Sequence, residues 1–100
     1  MKKITIIIAH YDPGNSTEIK NVFIKTLLSI NKQIYNDEIE IIVADDGSYY
    51  TSLLESTLKI KKSESTPYYQ LNNNQIIKLL GKFYNNKIDG LIDEWIILPK

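Results

Sequence analysis

Two runs of apolar, mostly β-branched residues dominate the hydrophobic pattern in the first half of the chain. They are Ile4 to Ala9 and Ile39 to Ala44, and continuous runs of this kind predict strands buried on both faces. Between them, apolar residues recur at helical spacing and predict a helix of about four turns: Ile19, Val22, Phe23, Leu27, Ile30 and Ile34. The connection is long enough for a crossover, so the pattern predicts a right-handed parallel βαβ unit.

Turn residues and helix caps are expected to separate these elements. Asp12 to Asn15 includes a proline and a glycine, which are typical of a turn. Asn15 and Glu18 have the spacing of a capping box, so the helix is expected to begin there. Ser52 and Glu55 have the same spacing and predict a second, shorter helix, with three leucines facing inward: Leu53, Leu54 and Leu58.

The second half of the chain has shorter and more polar elements. The pattern predicts an exposed charged loop from Lys59 to Pro67, a strand from Tyr68 to Leu71 and a turn from Asn72 to Asn74. A helix from Gln75 to Tyr84 and a strand from Glu94 to Leu98 follow. We therefore expect an α/β fold in one domain of residues 1–100, with a Rossmann-like, mainly parallel sheet of about four strands flanked by helices.

Composition removes several classes of function. The chain has 12 Lys+Arg and 12 Asp+Glu, so its net charge is zero, whereas a nucleic-acid binder normally has a basic excess. All basic residues are lysines, so these residues cannot form a bidentate guanidinium clamp on phosphate. The absence of cysteine excludes disulfides, thiolate zinc sites and cysteine nucleophiles. No apolar run is long enough to predict a transmembrane helix.

Polar side chains follow both apolar runs at the point where each predicted strand ends. The second strand ends at Asp45 and Asp46, and the first ends at His10, Tyr11 and Asp12. Because the carboxyl ends of parallel strands form the edge at which open α/β sheets bind their ligands, we expect these side chains to share one crevice. Gly47 is expected to supply the positive φ that a sharp exit from the second strand requires.

These segments resemble the start of a family 2 glycosyltransferase. The resemblance covers residues 4–48, where the Asp-Asp-Gly-Ser signature at Asp45 to Ser48 is intact and a helix carries Ser29, Ile30 and Gln33 before Tyr35. Asp12 replaces an Asn of the family pattern, and Tyr50 stands where an acid is usual. A weaker likeness continues at Asn85, Ile88, Glu94, Trp95, Ile96 and Leu98, with Lys87 and Asp93 in place of two glycines.

The resemblance implies a partial GT-A fold, namely the N-terminal half that binds the nucleotide of a nucleotide-sugar, with UDP-sugar expected first. Residues at the family's nucleotide site would be Ala9, Tyr11, Asp45, Asp46 and Ser48. Asp46 would accept the N3–H of uracil, and Tyr11 would stack on the base. Asp45 would either touch the ribose or orient the loop, and Ser48 would either cap the next turn or touch phosphate.

Other polar residues have simpler explanations. His10 has no visible acid or metal partner and is expected to be structural, and Asp12 is expected to form an Asx-type turn. Four tyrosines could suggest base stacking, but without a basic groove we expect them to pack in the core or to lie on the sheet surface: Tyr49, Tyr50, Tyr68 and Tyr69. Three acids near the end of the chain are not expected to bind metal: Asp89, Asp93 and Glu94.

The family's divalent metal (Mn or Mg) is expected only for a complete enzyme. Its Asp-x-Asp motif would begin near Lys100, where the chain stops, and the sequence contains no such pattern. The resemblance implies transfer of a glycosyl group to a saccharide or other hydroxyl acceptor, and a cytoplasmic location or a peripheral one at the inner face of the membrane. The main alternative is a truncated, non-catalytic remnant that at most binds nucleotide weakly or self-associates through an uncovered sheet edge. A phosphoacceptor signalling domain is a weaker one, because its paired acids would follow the first strand.

Overall fold

The computed structural model describes residues 4–31, 39–54 and 68–98. The strands are β1 (Ile4–His10), β2 (Ile39–Asp45), β3 (Tyr69–Asn72) and β4 (Glu94–Ile97). The helices α1 (Thr17–Asn31) and α2 (Thr51–Leu54) follow β1 and β2, and a helical segment begins directly after β3. The four predicted strands and the long first helix are confirmed, with bounds that differ by a few residues.

The four strands form one sheet in the order β1-β2-β4-β3. β1 pairs with β2 in parallel and β2 pairs with β4 in parallel, as the βαβ pattern predicts for the first pair. β3 is antiparallel to β4, with Tyr69 opposite Ile97 and Asn72 opposite Glu94. The sheet is therefore mixed, and the prediction of a mainly parallel sheet is wrong. The connection from β3 to β4 runs through the helical segment and returns the chain in the opposite direction.

Among the strands of the described residues, β1 lies at an edge of the sheet, and this corrects the prediction that it is buried on both faces. Ile4 is 50% exposed and Ile7 is 68% exposed, and only His10 of this strand is buried. The apolar run of β1 looks like a central strand because isoleucine favours any strand, whatever its neighbours. β2, by contrast, has a neighbouring strand on each side, and its residues alternate between buried and half-buried.

The core lies on one face of the sheet, beneath α1 and the helical segment. Phe23 of α1 packs edge-on against the Trp95 indole of β4, with ring centroids 5.6 Å apart. Not all predicted apolar positions contribute, because Val22 is 59% exposed and Leu53 of α2 is 64% exposed. The fully buried apolar side chains include Leu27, Val43, Leu71, Ile76, Leu80, Ile88, Ile92, Trp95 and Ile97.

The helical segment has three successive geometries where the sequence predicts one helix. A single α-turn (Asn73–Gln75) is followed by a π-helix (Ile76–Leu80) and a 3₁₀-helix (Gly81–Tyr84). Asn72 and Gln75 form a capping box at its start, so the turn predicted at Asn72 to Asn74 is wrong. At its end Asn85 and Asn86 have φ angles of 53° and 59°, and asparagine accepts this left-handed region more easily than most residues.

The predicted caps of α1 and α2 are also corrected. Ser16 caps α1, because its Oγ accepts the N–H of Ile19 at 3.2 Å, whereas Asn15 precedes the cap in the left-handed region. α2 begins at Thr51, so Ser52 is a helical residue and not a cap. Four further predictions fall on residues outside those described: Ile34, Glu55, Leu58 and the loop from 59 to 67.

Candidate functional site

The carboxyl ends of β1 and β2 meet in register, as the sequence predicts. His10 lies opposite Asp45 in the parallel ladder, and the N–H of Asp46 continues it with a 3.0 Å bond to the carbonyl of His10. Gly47 follows with a φ of 69°, the positive value expected at this exit. Tyr11 and Asp46 are thus the first residues beyond a pair of adjacent strands, and both are exposed.

Asp45 lies inside the protein and accepts four hydrogen bonds. Its Oδ1 takes the N–H of Ser48 at 3.0 Å and the hydroxyl of Ser48 at 2.6 Å. Its Oδ2 takes the Tyr50 hydroxyl at 2.6 Å and the Trp95 indole N–H at 3.1 Å. A buried carboxylate is tolerated only when donors compensate its charge, and here two donors meet each oxygen. This geometry favours the alternative in which Asp45 orients the loop.

A chain of hydroxyl groups connects Asp45 to the only histidine. The Tyr50 and Tyr84 hydroxyl oxygens are 2.8 Å apart, and the Tyr84 hydroxyl is 2.8 Å from His10 Nε2. Since Tyr50 donates its only proton to Asp45 Oδ2, Tyr84 must donate to Tyr50, and His10 Nε2–H must donate to Tyr84. The network therefore selects one histidine tautomer, and the His10 ring is also stacked on Phe23 with centroids 4.0 Å apart.

Burial shifts the pKa of His10, Tyr50 and Tyr84. It lowers the pKa of His10 below 6.5, although the charges of Asp45 and Asp12 act in the opposite direction. It raises the pKa of Tyr50 far above 10, and proximity to Tyr84 and Asp45 raises that pKa further. It also raises the pKa of Tyr84 above 10, despite an opposing hydrogen bond with Tyr50. At neutral pH the imidazole and both phenols are therefore uncharged.

Asp12 and Ser48 join the loop after β1 to the loop after β2. Ser48 Oγ accepts the N–H of Asp12 at 2.9 Å, while Asp12 Oδ1 accepts the N–H groups of Gly14 and Ser16 at 3.2 and 3.0 Å. The Asx-type turn expected at Asp12 is confirmed. Ser48 is buried, and its hydroxyl bonds to Asp12 and Asp45, not to the first turn of α2.

The predicted nucleotide residues fall into three environments. Ala9 and Tyr11 line one cavity of about 340 Å³ between β1 and α1, together with His10 and Phe23. Asp46 is exposed and is not part of that lining. Asp45 and Ser48 are fully buried. The structure brings these residues to one edge of the sheet, with only Tyr11, Ala9 and Asp46 facing outward.

The three acids near the end of the described chain act within the fold or at its surface. Asp93 pairs with the start of β2, where its Oδ2 accepts the Ile41 N–H at 2.8 Å. Glu94 bonds to Gln70 on β3, and Asp89 is half-buried. Among residues 4–31, 39–54 and 68–98, no group of three acids or histidines could hold a metal ion.

Sequence reasoning missed the roles of Tyr50, Tyr84 and Trp95. All three are fully buried and bond directly or through one hydroxyl to Asp45. One signal was present: a buried acid needs donors, and Ser48 and Tyr50 follow it closely in the chain. Tyr84 and Trp95 are distant in sequence, and no periodic pattern connects them to Asp45.

Comparison of the chain with family models, curated proteins and solved structures finds no match. The likeness to family 2 glycosyltransferases therefore depends on the quoted residues alone. Within the described parts of the chain, no helix is both long and apolar enough to cross a membrane.

Proposed function

We propose that this chain binds the nucleotide of a nucleotide-sugar, UDP-sugar in particular, at the edge where β1 and β2 end. In this proposal it is the donor-binding half of a glycosyltransferase that uses a saccharide or another hydroxyl acceptor. The observation that carries the proposal is the placement of Tyr11 and Asp46. Tyr11 follows His10 and Asp46 follows Asp45, and His10 lies opposite Asp45 in the ladder. The N–H of Asp46 bonds to the His10 carbonyl. Both residues are exposed, so an aromatic ring and a carboxylate are available at this edge.

The buried network supports this assignment because it limits the movement of the strand ends. The carboxylate of Asp45 is held by donors from Ser48, Tyr50 and Trp95, so the backbone that carries Asp46 is held between β1 and β4. A side chain on a rigid backbone loses less conformational freedom on binding than one on a mobile loop. Asp46 can then select a base that presents an N–H, such as uracil, over cytosine, which presents only an acceptor at N3.

The test is a titration of the full chain with UDP and with CDP, in which binding is measured by calorimetry or by amide chemical shifts. We expect UDP to bind more tightly than CDP. Asp46→Asn should lower the affinity for UDP by about tenfold or more, because hydrogen bonds to charged groups are stronger than those between neutral groups. Glu40→Gln is the matched control. It removes one carboxylate near the opposite end of β2, where Glu40 contacts Thr5, and should leave UDP affinity unchanged. Equal affinity in wild type and Asp46→Asn would remove Asp46 from the site.

A second candidate function is self-association through β1, as expected of a non-catalytic module. The supporting observation is that β1 is an edge strand with Ile4 and Ile7 exposed, and such edges pair readily with other strands. We expect concentration-dependent dimers by sedimentation, and Ile7→Lys should abolish them. Leu53→Lys, at an exposed leucine outside the sheet, should not. A wild-type chain that stays monomeric at high concentration would exclude this candidate.

A further inference from the structure

A second cavity, of about 410 Å³, lies between the start of α1, the loop after β2 and the 3₁₀-helix with the residues that follow it. Its lining includes three lysines, Lys20, Lys82 and Lys87, and no aspartate or glutamate. The whole chain has no net charge, so this cluster is a local excess of positive charge and not part of a generally basic surface. We call it the lysine cavity.

Contacts with aromatic rings and amides hold two of these ammonium groups in place. Lys20 Nζ donates to the Tyr49 hydroxyl at 2.8 Å and to the Asn15 side chain, and it lies 5.0 Å from the centroid of the Tyr49 ring. Lys82 Nζ lies 5.3 Å from the Phe83 centroid. Cation–π contacts orient an ammonium group without neutralising it. The cavity therefore holds positioned positive charges that lack a carboxylate among the described residues that line it.

Like charges in one cavity repel one another, and a bound anion would offset this electrostatic repulsion. The ammonium group of lysine binds phosphate as a point charge with several donors. Asparagine side chains at Asn15, Asn21 and Asn85 supply further polar groups to the same wall. The volume is larger than a bare phosphate requires and lies in the range of small-molecule sites, while the Phe83 ring offers an apolar surface for the rest of a ligand.

We propose that the lysine cavity binds a small phosphomonoester, with its phosphate among Lys20, Lys82 and Lys87 and its organic part against the aromatic wall. This is a site separate from the proposed nucleotide edge, because its lining contains neither Ala9, Tyr11 nor Asp46. The phosphate of such a ligand carries about 1.5 to 2 negative charges at neutral pH, and the lysines distinguish it from neutral sugars and from zwitterions.

The test uses the full chain, with inorganic phosphate and phenyl phosphate as probes at constant ionic strength. Amide chemical shifts should saturate for residues around the cavity, and phenyl phosphate should bind more tightly than inorganic phosphate. The double variant Lys82→Gln/Lys87→Gln should weaken phenyl phosphate by about tenfold or more. The matched control is Lys25→Gln/Lys78→Gln, which removes the same charge from two exposed lysines outside the lining and should change affinity less than about twofold.

Absence of saturable shifts at millimolar phenyl phosphate would overturn the proposal, as would equal weakening by the two double variants. Tighter binding of malonate would overturn the assignment to phosphomonoesters. If Lys82→Gln/Lys87→Gln unfolds, the single variant Lys87→Gln provides the same comparison with Lys78→Gln. Asp46→Asn separates the two sites: it should weaken UDP and leave phenyl phosphate affinity unchanged, so either proposal can fail without the other.

Discussion

The indole N–H of Trp95 donates to Oδ2 of Asp45 at 3.1 Å, which connects the side chains of two adjacent parallel strands, β2 and β4, inside the core. Asp45 pairs in the backbone ladder with Ile97, two residues beyond Trp95. The Asp45 carboxylate is thus part of the packed core, where it connects β2 to β4. The two neighbouring acids of the Asp-Asp-Gly-Ser signature therefore differ in environment, because Asp45 is fully buried and Asp46 is exposed.

Asp45→Asn should reduce the free energy of unfolding by about 3 kcal/mol. Each carboxylate oxygen faces one N–H that cannot turn away, from the Ser48 backbone or the Trp95 indole. Whichever way the asparagine amide points, its NH₂ group meets one of these donors. Urea denaturation measures the loss. Asp46→Asn is the matched control, since the same change at the exposed neighbour should stay within about 0.5 kcal/mol. Equal effects at both positions would contradict the buried role of Asp45.

The Tyr50–Tyr84 hydrogen bond should appear as coupling in a double-mutant cycle. Tyr50→Phe and Tyr84→Phe each remove the same 2.8 Å contact, so the two losses of stability should sum to about 1 kcal/mol more than the loss in the double variant. Tyr50→Phe combined with Tyr11→Phe is the control, because Tyr11 is exposed and outside this network. Additivity in both cycles would show that the hydroxyl chain is not formed in solution.

Two of the seven tyrosines should resist ionisation until the protein unfolds. Burial raises the pKa of Tyr50 and Tyr84 above 10 in the folded state, so their contribution to stability is present below pH 10 and is lost as the pH rises further. Each phenol that ionises only in the unfolded chain lowers stability by about 1.4 kcal/mol per pH unit above its unfolded pKa. Alkaline titration of tyrosinate absorbance should show a late phase that coincides with the loss of circular dichroism. Ionisation of all tyrosines before unfolding would contradict this.

Acid should destabilise the fold through protonation of His10. Because burial holds the pKa of His10 below its ordinary 6.5, the unfolded chain binds a proton that the folded chain does not. Stability is therefore complete above pH 6.5 and falls as the pH drops below it, by at most about 1.4 kcal/mol per pH unit. The single histidine gives one imidazole signal in NMR spectra, and its midpoint should lie below 6.5. A midpoint at or above 6.5 would contradict the buried, neutral ring.

Gly81→Ala should destabilise the protein by about 1–3 kcal/mol. A Cβ at this buried position would lie 2.8 Å from Asp89 Oδ1 and 2.9 Å from Asn86 Oδ1, although the right-handed backbone with φ of −52° accepts alanine. Gly14→Ala is the control, since a Cβ there meets nothing within 4 Å. Thermal melting compares the two. A loss of stability in Gly81→Ala as small as that in Gly14→Ala would show that the Asp89 and Asn86 side chains move aside without cost.

Local patterns were sufficient to predict the strands, the first helix and the parallel pairing of β1 with β2. These patterns failed where the burial of a residue depends on which strands are neighbours in the sheet. Ile7 and Val43 belong to similar apolar runs, yet Ile7 is 68% exposed and Val43 is fully buried, because strand order determines which run has partners on both sides. The antiparallel entry of β3 has no local signal either, since Tyr68 to Leu71 would suit a strand of either direction.

The convergence of the ends of β1 and β2 was predicted, but which of the residues there are buried was not. Two adjacent residues of a strand point to opposite faces, so Asp45 and Asp46 could not both face the same ligand from a regular strand. Which of them is buried depends on Tyr50, Tyr84 and Trp95, and the last two are remote in sequence. The lysine cavity was not predicted, because Lys20 and Lys82 come from separate segments that only the fold brings together.

The position of β4 between β2 and β3 affects how this sheet can form. β3 touches the sheet only through β4, and the pairing of Val43 with Trp95 joins distant parts of the chain. Contacts of such high sequence separation require most of the chain to be ordered at once, which slows folding. Until residues 94–97 enter, β2 and β3 each present an unpaired edge. We therefore expect the insertion of β4 between β2 and β3 to limit the rate of folding. Before this step, the partly folded state should be prone to pairing with strands of other molecules.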